Sequence, residues 1–206
     1  MVGMAGSGLH ALVERLEALL PTQITLRAVQ ERIAESTVDD AELARYVEER
    51  SDHYARHLVH RSAMFDVAIL TWKPGQMTPI HNHAGNLGWV QLLRGRIVED
   101  RYMLVPKCMP TELDLAPDVP APQGGIELHL LGRTVLAERG AIATVDRLRA
   151  IHRIGNPVEC AGGETAVTLH VYSKPHDVCL MFDASAKTCT RRELRYDNVE
   201  TSEAAC

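Results

Sequence analysis

"TPIHNHAGNLGWVQLLRG", residues 78–95, places two histidines one residue apart, after a proline and ahead of a glycine-rich bend. Alternate side chains of a strand share a face, so His81 and His83 are expected to point at one spot. Two imidazoles aimed together suggest a metal ion, whose remaining ligands must then come from elsewhere in the chain.

Outward from this stretch the sequence changes character twice. Before it, residues 7–50 read as helices. Leu9, Leu12, Val13, Leu16, Leu19 and Leu20 recur at helical spacing until Pro21. A second helix is expected from Thr22 to about Ser36, and a third after Thr37, with Asp39 and Asp40 at its start, running through Leu43 and Val47. From about residue 63 onward, FDVAILTW, GWVQLLRG, RIVEDRYML, IELHLLG, TAVTLHVYS and VCLMFD are short runs rich in apolar and β-branched residues. Many short strands without intervening helices predict a mostly β antiparallel barrel or sandwich. PKCMPTELDLAPDVPAPQGG, from residue 106 to 125, holds five prolines and reads as a loop or long hairpin arm. The last fifteen or so residues are polar and are expected to be loosely held. The organisation expected is an N-terminal helical segment, 1–50, packed on a barrel spanning 51–206, in one structural domain.

Composition bounds the function. The chain has 206 residues, 46% hydrophobic and 24% charged, with a net charge of −5. That balance offers no basic face for nucleic acid. No apolar run approaches the roughly 20 residues of a membrane span, and the N-terminal stretch lacks the basic region of a signal peptide. Five cysteines, with no CxxC pair, read as reduced thiols. The expectation is a cytoplasmic protein without nucleic-acid or membrane partners, acting as a monomer.

Eight further histidines (10, 53, 57, 60, 129, 152, 170 and 176) are candidates to complete the metal site. His53 and His57, four apart, would share a helix face, although no HExxH accompanies them. His152 lies in AIHRIGNP, a strand-like stretch ended by a turn. On TLHVYSKP, Thr168, His170 and Tyr172 alternate with Leu169 and Val171. As a strand it sets a hydroxyl, an imidazole and a phenol along one face, where they can form a hydrogen-bonded file or simply a polar surface.

The larger spacing resembles the cupins. Gly75, His81, His83 and Gly95 follow the first cupin motif, and His152 with Asn156 follows the end of the second. The resemblance implies a double-stranded β-helix, or jelly-roll, barrel. It adds His152 to His81 and His83 as metal ligands. The glutamate ligand usual in the first motif would fall at Leu87 or Gly88, so the site is expected to be three neutral histidines without a carboxylate.

Together with HYARHLV and AVTLHVYSKPHDVCLMFD, these motifs are similar in order to the cysteine dioxygenases, cupin-fold thiol dioxygenases, over about residues 50–183. The resemblance implies Fe(II) on His81, His83 and His152, with L-cysteine and dioxygen as substrates and cysteine sulfinic acid as product. It implies a relay of Thr168, His170 and Tyr172, and a carboxylate-binding Arg56 preceded by Tyr54. Dioxygenation adds both oxygen atoms to the thiolate sulfur, while a planar guanidinium suits two hydrogen bonds to a carboxylate.

The sequence departs from the family at two places. Animal members carry a cysteine, cross-linked to the active-site tyrosine, where this chain has Gly88, so Tyr172 is expected to be unmodified. Ser-Pro-Pro after the tyrosine is here Ser173-Lys174-Pro175. Gly88 is shared with the 3-mercaptopropionate dioxygenases. Those place glutamine at the Arg56 position and a carboxylate-binding arginine late in the chain, where Arg191, Arg192 and Arg195 lie here. Retention of Arg56 favours cysteine. The alternatives are 3-mercaptopropionate, a cupin metalloenzyme of another reaction type, and a noncatalytic ligand-binding cupin.

Overall fold

The computed structural model describes residues 7–105, 126–147 and 151–199; the proline-rich arm at 106–125 lies outside them. Helix α1 spans Leu9–Glu17, α2 Leu26–Ala34 and α3 Asp40–Leu43. Strands follow as β1 (Ala55–Arg61), β2 (Phe65–Trp72), β3 (Gln76–Met77), β4 (Ile80–His81), β5 (Gly88–Arg94) and β6 (Ile97–Val105). Next come β7 (Glu127–Leu136), β8 (Ile142–Val145) and β9 (Ile151–Asn156). A short helix α4 (Val158–Ala161) precedes β10 (Ala166–Ser173), β11 (Val178–Asp183) and β12 (Thr188–Glu193).

The strands form two antiparallel sheets, ordered β1-β2-β10-β5-β8 and β12-β11-β4-β9-β6-β7, with β3 also paired to β9. Neighbours distant in sequence, such as β2 with β10 and β4 with β9, are the crossovers of a cupin jelly roll. Strand parity divides the first sheet. Phe65, Val67 and Ile69 of β2, with Val167, Leu169 and Val171 of β10, turn outward onto α1 and α2. Leu9, Leu12, Leu16, Val29 and Ile33 meet them from the helices in one buried cluster. Ala68, Leu70 and Trp72 turn inward with Val90 and Leu92 of β5. The helices therefore cover one face of the sheet, leaving its other face to line the barrel. No helix among the described residues is long and apolar enough to cross a membrane.

The helical segment is more broken than its spacing suggests. The expected helix from Thr22 to Ser36 splits into a 3-10 turn at Pro21–Gln23 and α2. Thr25 caps α2, its hydroxyl accepting a hydrogen bond from the Ala28 N–H, and so halts the helix on its N-terminal side. Helix α3 begins as expected, the Asp39 carboxylate accepting from Glu42 N–H at 2.7 Å. It ends at Leu43 rather than Val47, because the chain tightens into i→i+3 bonds at Arg45 and Tyr46.

The C-terminal region departs furthest from expectation. Residues 188–193 form β12, and residues 194–199 are strapped against β1 rather than loosely held. Beyond 199 the chain lies outside the described residues.

Candidate metal and substrate site

His81 and His152 are directly opposed across β4 and β9, and His83 follows two residues on. One nitrogen from each of the three lies within 4.8 Å of the others. The Nε2 atoms of His83 and His152 are 2.9 Å apart. Two nitrogens bound to one ion at right angles, each at ~2.1 Å, would be separated by about 3 Å. Burial and the neighbouring His152 hold His81 and His83 well below the usual histidine range, so both rings are neutral. Two imidazole Nε2 atoms facing each other this closely require a proton or a cation between them, and a divalent ion satisfies both. His81 hydrogen-bonds through Nδ1 to the Pro79 carbonyl at 3.0 Å, leaving Nε2 to the cluster. The donor set fits a borderline divalent metal.

A carboxylate does stand behind the cluster, which the sequence reading did not foresee. His152 Nδ1 lies 2.7 Å from Glu99 Oε1 on β6. Arg101 holds the other oxygen at 2.9 Å. Burial alone would push the Glu99 carboxyl up, but the hydrogen bond from His152 and the charge of Arg101 outweigh it, and it lies below the usual range. An anionic Glu99 fixes the His152 proton on Nδ1 and makes Nε2 a better electron donor.

On β10, Thr168, His170 and Tyr172 all face inward and are buried. Thr168 Oγ1 is 2.9 Å from His170 Nε2, and His170 Nδ1 is 3.0 Å from the Tyr172 hydroxyl. The file begins one residue earlier than the sequence suggests, because Trp72 Nε1 donates to Thr168 Oγ1 at 2.8 Å. An indole only donates, so the assignment satisfying every group runs one way. The Thr168 proton goes to His170 Nε2, the His170 Nδ1 proton to the Tyr172 oxygen, and the Tyr172 proton is left for the pocket. Burial holds the Tyr172 hydroxyl protonated, well above its ordinary value, and keeps His170 neutral.

Arg56 lies on β1, opposite Leu70 of the inward face of β2. Its Nε and Nη2 are shielded from solvent and have no hydrogen-bond partner. It is close enough to Tyr172, His81 and His170 to act on them electrostatically. Tyr54, just before β1, stacks on Trp72 with ring centroids 4.4 Å apart. A buried cation with free donors beside the histidine cluster is a place for an anion.

His176 also belongs to this wall, although only its residue type marked it in the sequence. It is buried, stacks on Tyr172 at 4.8 Å and lies 5.2 Å from His83 between centroids. Burial pushes it down to about 3. Gly88 sits opposite Tyr172 across β5 and β10. A Cβ there would fall 2.8 Å from His83 Nδ1, so the histidine occupies the space a side chain at 88 would need. Lys174 adopts φ 77°, a left-handed conformation that a side chain rarely takes, and its N–H donates to the Met64 carbonyl.

The other histidine pair is not a metal site. His57 is on a strand, not a helix, and bonds Glu48 at 2.9 Å; His53 bonds Asp197 and Asp52. Of the late arginines, Arg192 and Arg195 are exposed, and Arg195 pairs with Glu193.

A family model described as cysteine dioxygenase type I matches residues 3–185 of the chain. Cysteine dioxygenase type 1 of Rattus norvegicus is 26% identical over 162 residues, covering 78% of this chain and 71% of the relative. The Homo sapiens protein of the same name matches with the same identity and coverage. Among solved structures, a Klebsiella pneumoniae protein with a double-stranded β-helix domain shows 18% identity and a TM-score of 0.46, covering 72% of this chain and 99% of that one.

Proposed function

This chain belongs to the cysteine dioxygenase type I family, and from that membership we propose that it oxidises L-cysteine with dioxygen to cysteine sulfinic acid, using Fe(II). The observation that carries the choice of substrate is Arg56, buried beside the three histidines with two guanidinium nitrogens unpartnered. Thiols are common ligands for a three-histidine metal; the free arginine asks for a carboxylate as well.

Divalent iron on His81, His83 and His152 would supply open positions for the substrate thiolate and amine and for dioxygen, together with the electrons that activate it. The protein's own groups do the rest. Arg56 binds the substrate carboxylate through its two free nitrogens, and Tyr54, stacked on Trp72, walls that end of the pocket. The Tyr172 hydroxyl, its oxygen held by His170, presents its proton to the reacting oxygen or to the carboxylate. Glu99 holds His152 in one tautomer. The buried walls exclude water, which strengthens each of these polar contacts. Both atoms of dioxygen go to sulfur, so the thiolate becomes a sulfinate without an external reductant. In the 3-mercaptopropionate reading, a late arginine would hold the carboxylate; Arg192 and Arg195 are exposed and Arg191 is half-buried on β12, whereas Arg56, already beside the histidines, supports cysteine.

The test is dioxygen uptake by protein loaded anaerobically with Fe(II), with L-cysteine, cysteamine and 3-mercaptopropionate in parallel and products identified by NMR. One-to-one formation of cysteine sulfinate, at a rate well above the other thiols, is expected. Preference for 3-mercaptopropionate would replace the substrate, and no uptake from any thiol by iron-loaded protein would remove the reaction.

A further inference from the structure

The C-terminal strap follows the residues matched by the family model and closes over the arginine just described. Strand β1 is an edge of its sheet. The strap covers that edge: Asp197 N–H donates to the Arg56 carbonyl, and Arg56 N–H to Asp197 Oδ2 at 2.7 Å. Asn198 repeats the exchange with Leu58, accepting at 2.8 Å through Oδ1 and donating at 2.9 Å from Nδ2. Between them and the barrel lies Tyr196, only 7% exposed. The Arg56 guanidinium carbon is 5.2 Å from the centroid of its ring, and that of Arg61 is 5.4 Å away.

These two arginines are held differently. Arg61 is paired with carboxylates, with two bonds to Asp66 and one to Asp177. Asp66 is fully buried, and it also accepts from the Tyr196 hydroxyl at 3.1 Å and from the His176 N–H. Arg56 has no carboxylate partner among the described residues; the groups acting on it are the phenols of Tyr172, Tyr54 and Tyr196, Tyr54 also through a hydrogen bond. A carboxylate would hold Arg56 but would occupy its donors and cancel its charge. An aromatic face attracts a guanidinium and leaves the in-plane N–H groups free. Tyr196, itself fixed by Asp66, has the chemistry needed to hold a cation that must bind something else.

We propose that Tyr196 is the positioning residue for Arg56, making the C-terminal strap a working part of the substrate-carboxylate site. This rests on the reading that Arg56 binds the carboxylate. Loss of the ring lets the guanidinium drift and weakens only ligands that carry a carboxylate.

The experiment measures anaerobic binding of L-cysteine and of cysteamine, which lacks the carboxylate, to Fe(II)-loaded wild type, Tyr196→Leu, Tyr196→Phe and Arg56→Gln by calorimetry. Tyr196→Leu is expected to weaken L-cysteine about tenfold, the scale of a buried cation–π contact, and cysteamine less than twofold. Tyr196→Phe, which keeps the ring, should stay within about twofold of wild type for both ligands. Equal weakening of the two ligands by Tyr196→Leu would make Tyr196 merely structural, and unchanged L-cysteine binding would also overturn the proposal. If Arg56→Gln discriminates between the ligands as wild type does, the carboxylate reading fails and takes this proposal with it. If Arg56→Gln loses discrimination while Tyr196→Leu keeps it, only the positioning role fails. Should Tyr196→Leu not fold, pentafluorophenylalanine at 196 keeps the shape and reverses the ring's electrostatics. L-cysteine affinity should then fall relative to Tyr196→Phe, and equal affinities would overturn the proposal.

Discussion

Glu99 and Asp100 are neighbours in sequence with opposite fates. Glu99 faces inward to His152, whereas Asp100 faces outward and binds Arg133 and Arg153. Nothing in the run IVEDRY says which acid turns in, because both carry the same charge and strand phase is set by the register with β9. The two histidines of HNH were legible for the opposite reason, since alternation alone puts them on one face. Replacing Glu99 by Gln should weaken metal binding about 10- to 100-fold, the usual cost of losing a histidine's carboxylate partner, in competition with a chromophoric chelator. Unchanged affinity would remove Glu99 from the site. Tyr172→Phe keeps the ring and its stacking on His176 but deletes the proton at the end of the file. Turnover should fall about 100-fold, the lower range for a placed acid–base group, at unchanged metal content; wild-type turnover would leave the phenol without a role.

At the scale of elements, β1 carries a bulge between Leu58 and His60. Before it, Arg56 and Leu58 oppose Leu70 and Ala68; after it, Arg61 opposes Asp66, again on the inward face. Strict alternation would have sent Arg61 to the other side, so the extra residue is what lets both arginines reach Tyr196. Deleting Val59 would leave the two arginines four positions apart, and plain alternation would then keep both inward. Arg61→Leu, by contrast, leaves buried Asp66 without its cation, costing about 3–5 kcal/mol. Denaturant titration should show this as a large fall in the midpoint, whereas a midpoint near wild type would mean that the Tyr196 hydroxyl and the His176 N–H suffice to hold Asp66. The strands β2, β5, β6, β7, β9, β10 and β11 could be read as runs of apolar and β-branched residues. Strand β1 could not, because HYARHLVHR hides a half-buried edge among charges, and neither could the strap, whose polar residues bond to backbone instead of water. Helix lengths were misread where a cap, Thr25, or a tightened turn, at Tyr46, overrode apolar spacing.

For the molecule as a whole, burying histidines uncharged links folding to pH. The unfolded chain protonates its imidazoles below about 6.5, while folded His170 and His176 stay neutral to much lower pH. Their contribution is therefore complete above that value and is lost as pH falls below it, by up to about 1.4 kcal/mol per pH unit for each. Chemical denaturation of metal-free protein between pH 7.5 and 5.5 should show this decline. His176→Phe should flatten it by roughly one such share, and an unaltered slope would mean that His176 titrates normally in the fold.

His83 and His152 stand 69 residues apart in the chain yet share one contact. An ion held there acts as a reversible cross-link, closing a long loop much as a disulfide would. Metal occupancy should thus be written into the breathing of the barrel. Amide hydrogens of β4 and β9 should exchange more slowly in the loaded protein than after chelation, while those of α1 change little. Uniform slowing would mean that the ion stabilises only the global fold. A shortage of metal would then be sensed first as a seam opening between two strands, before any change in the sheet beneath the helices.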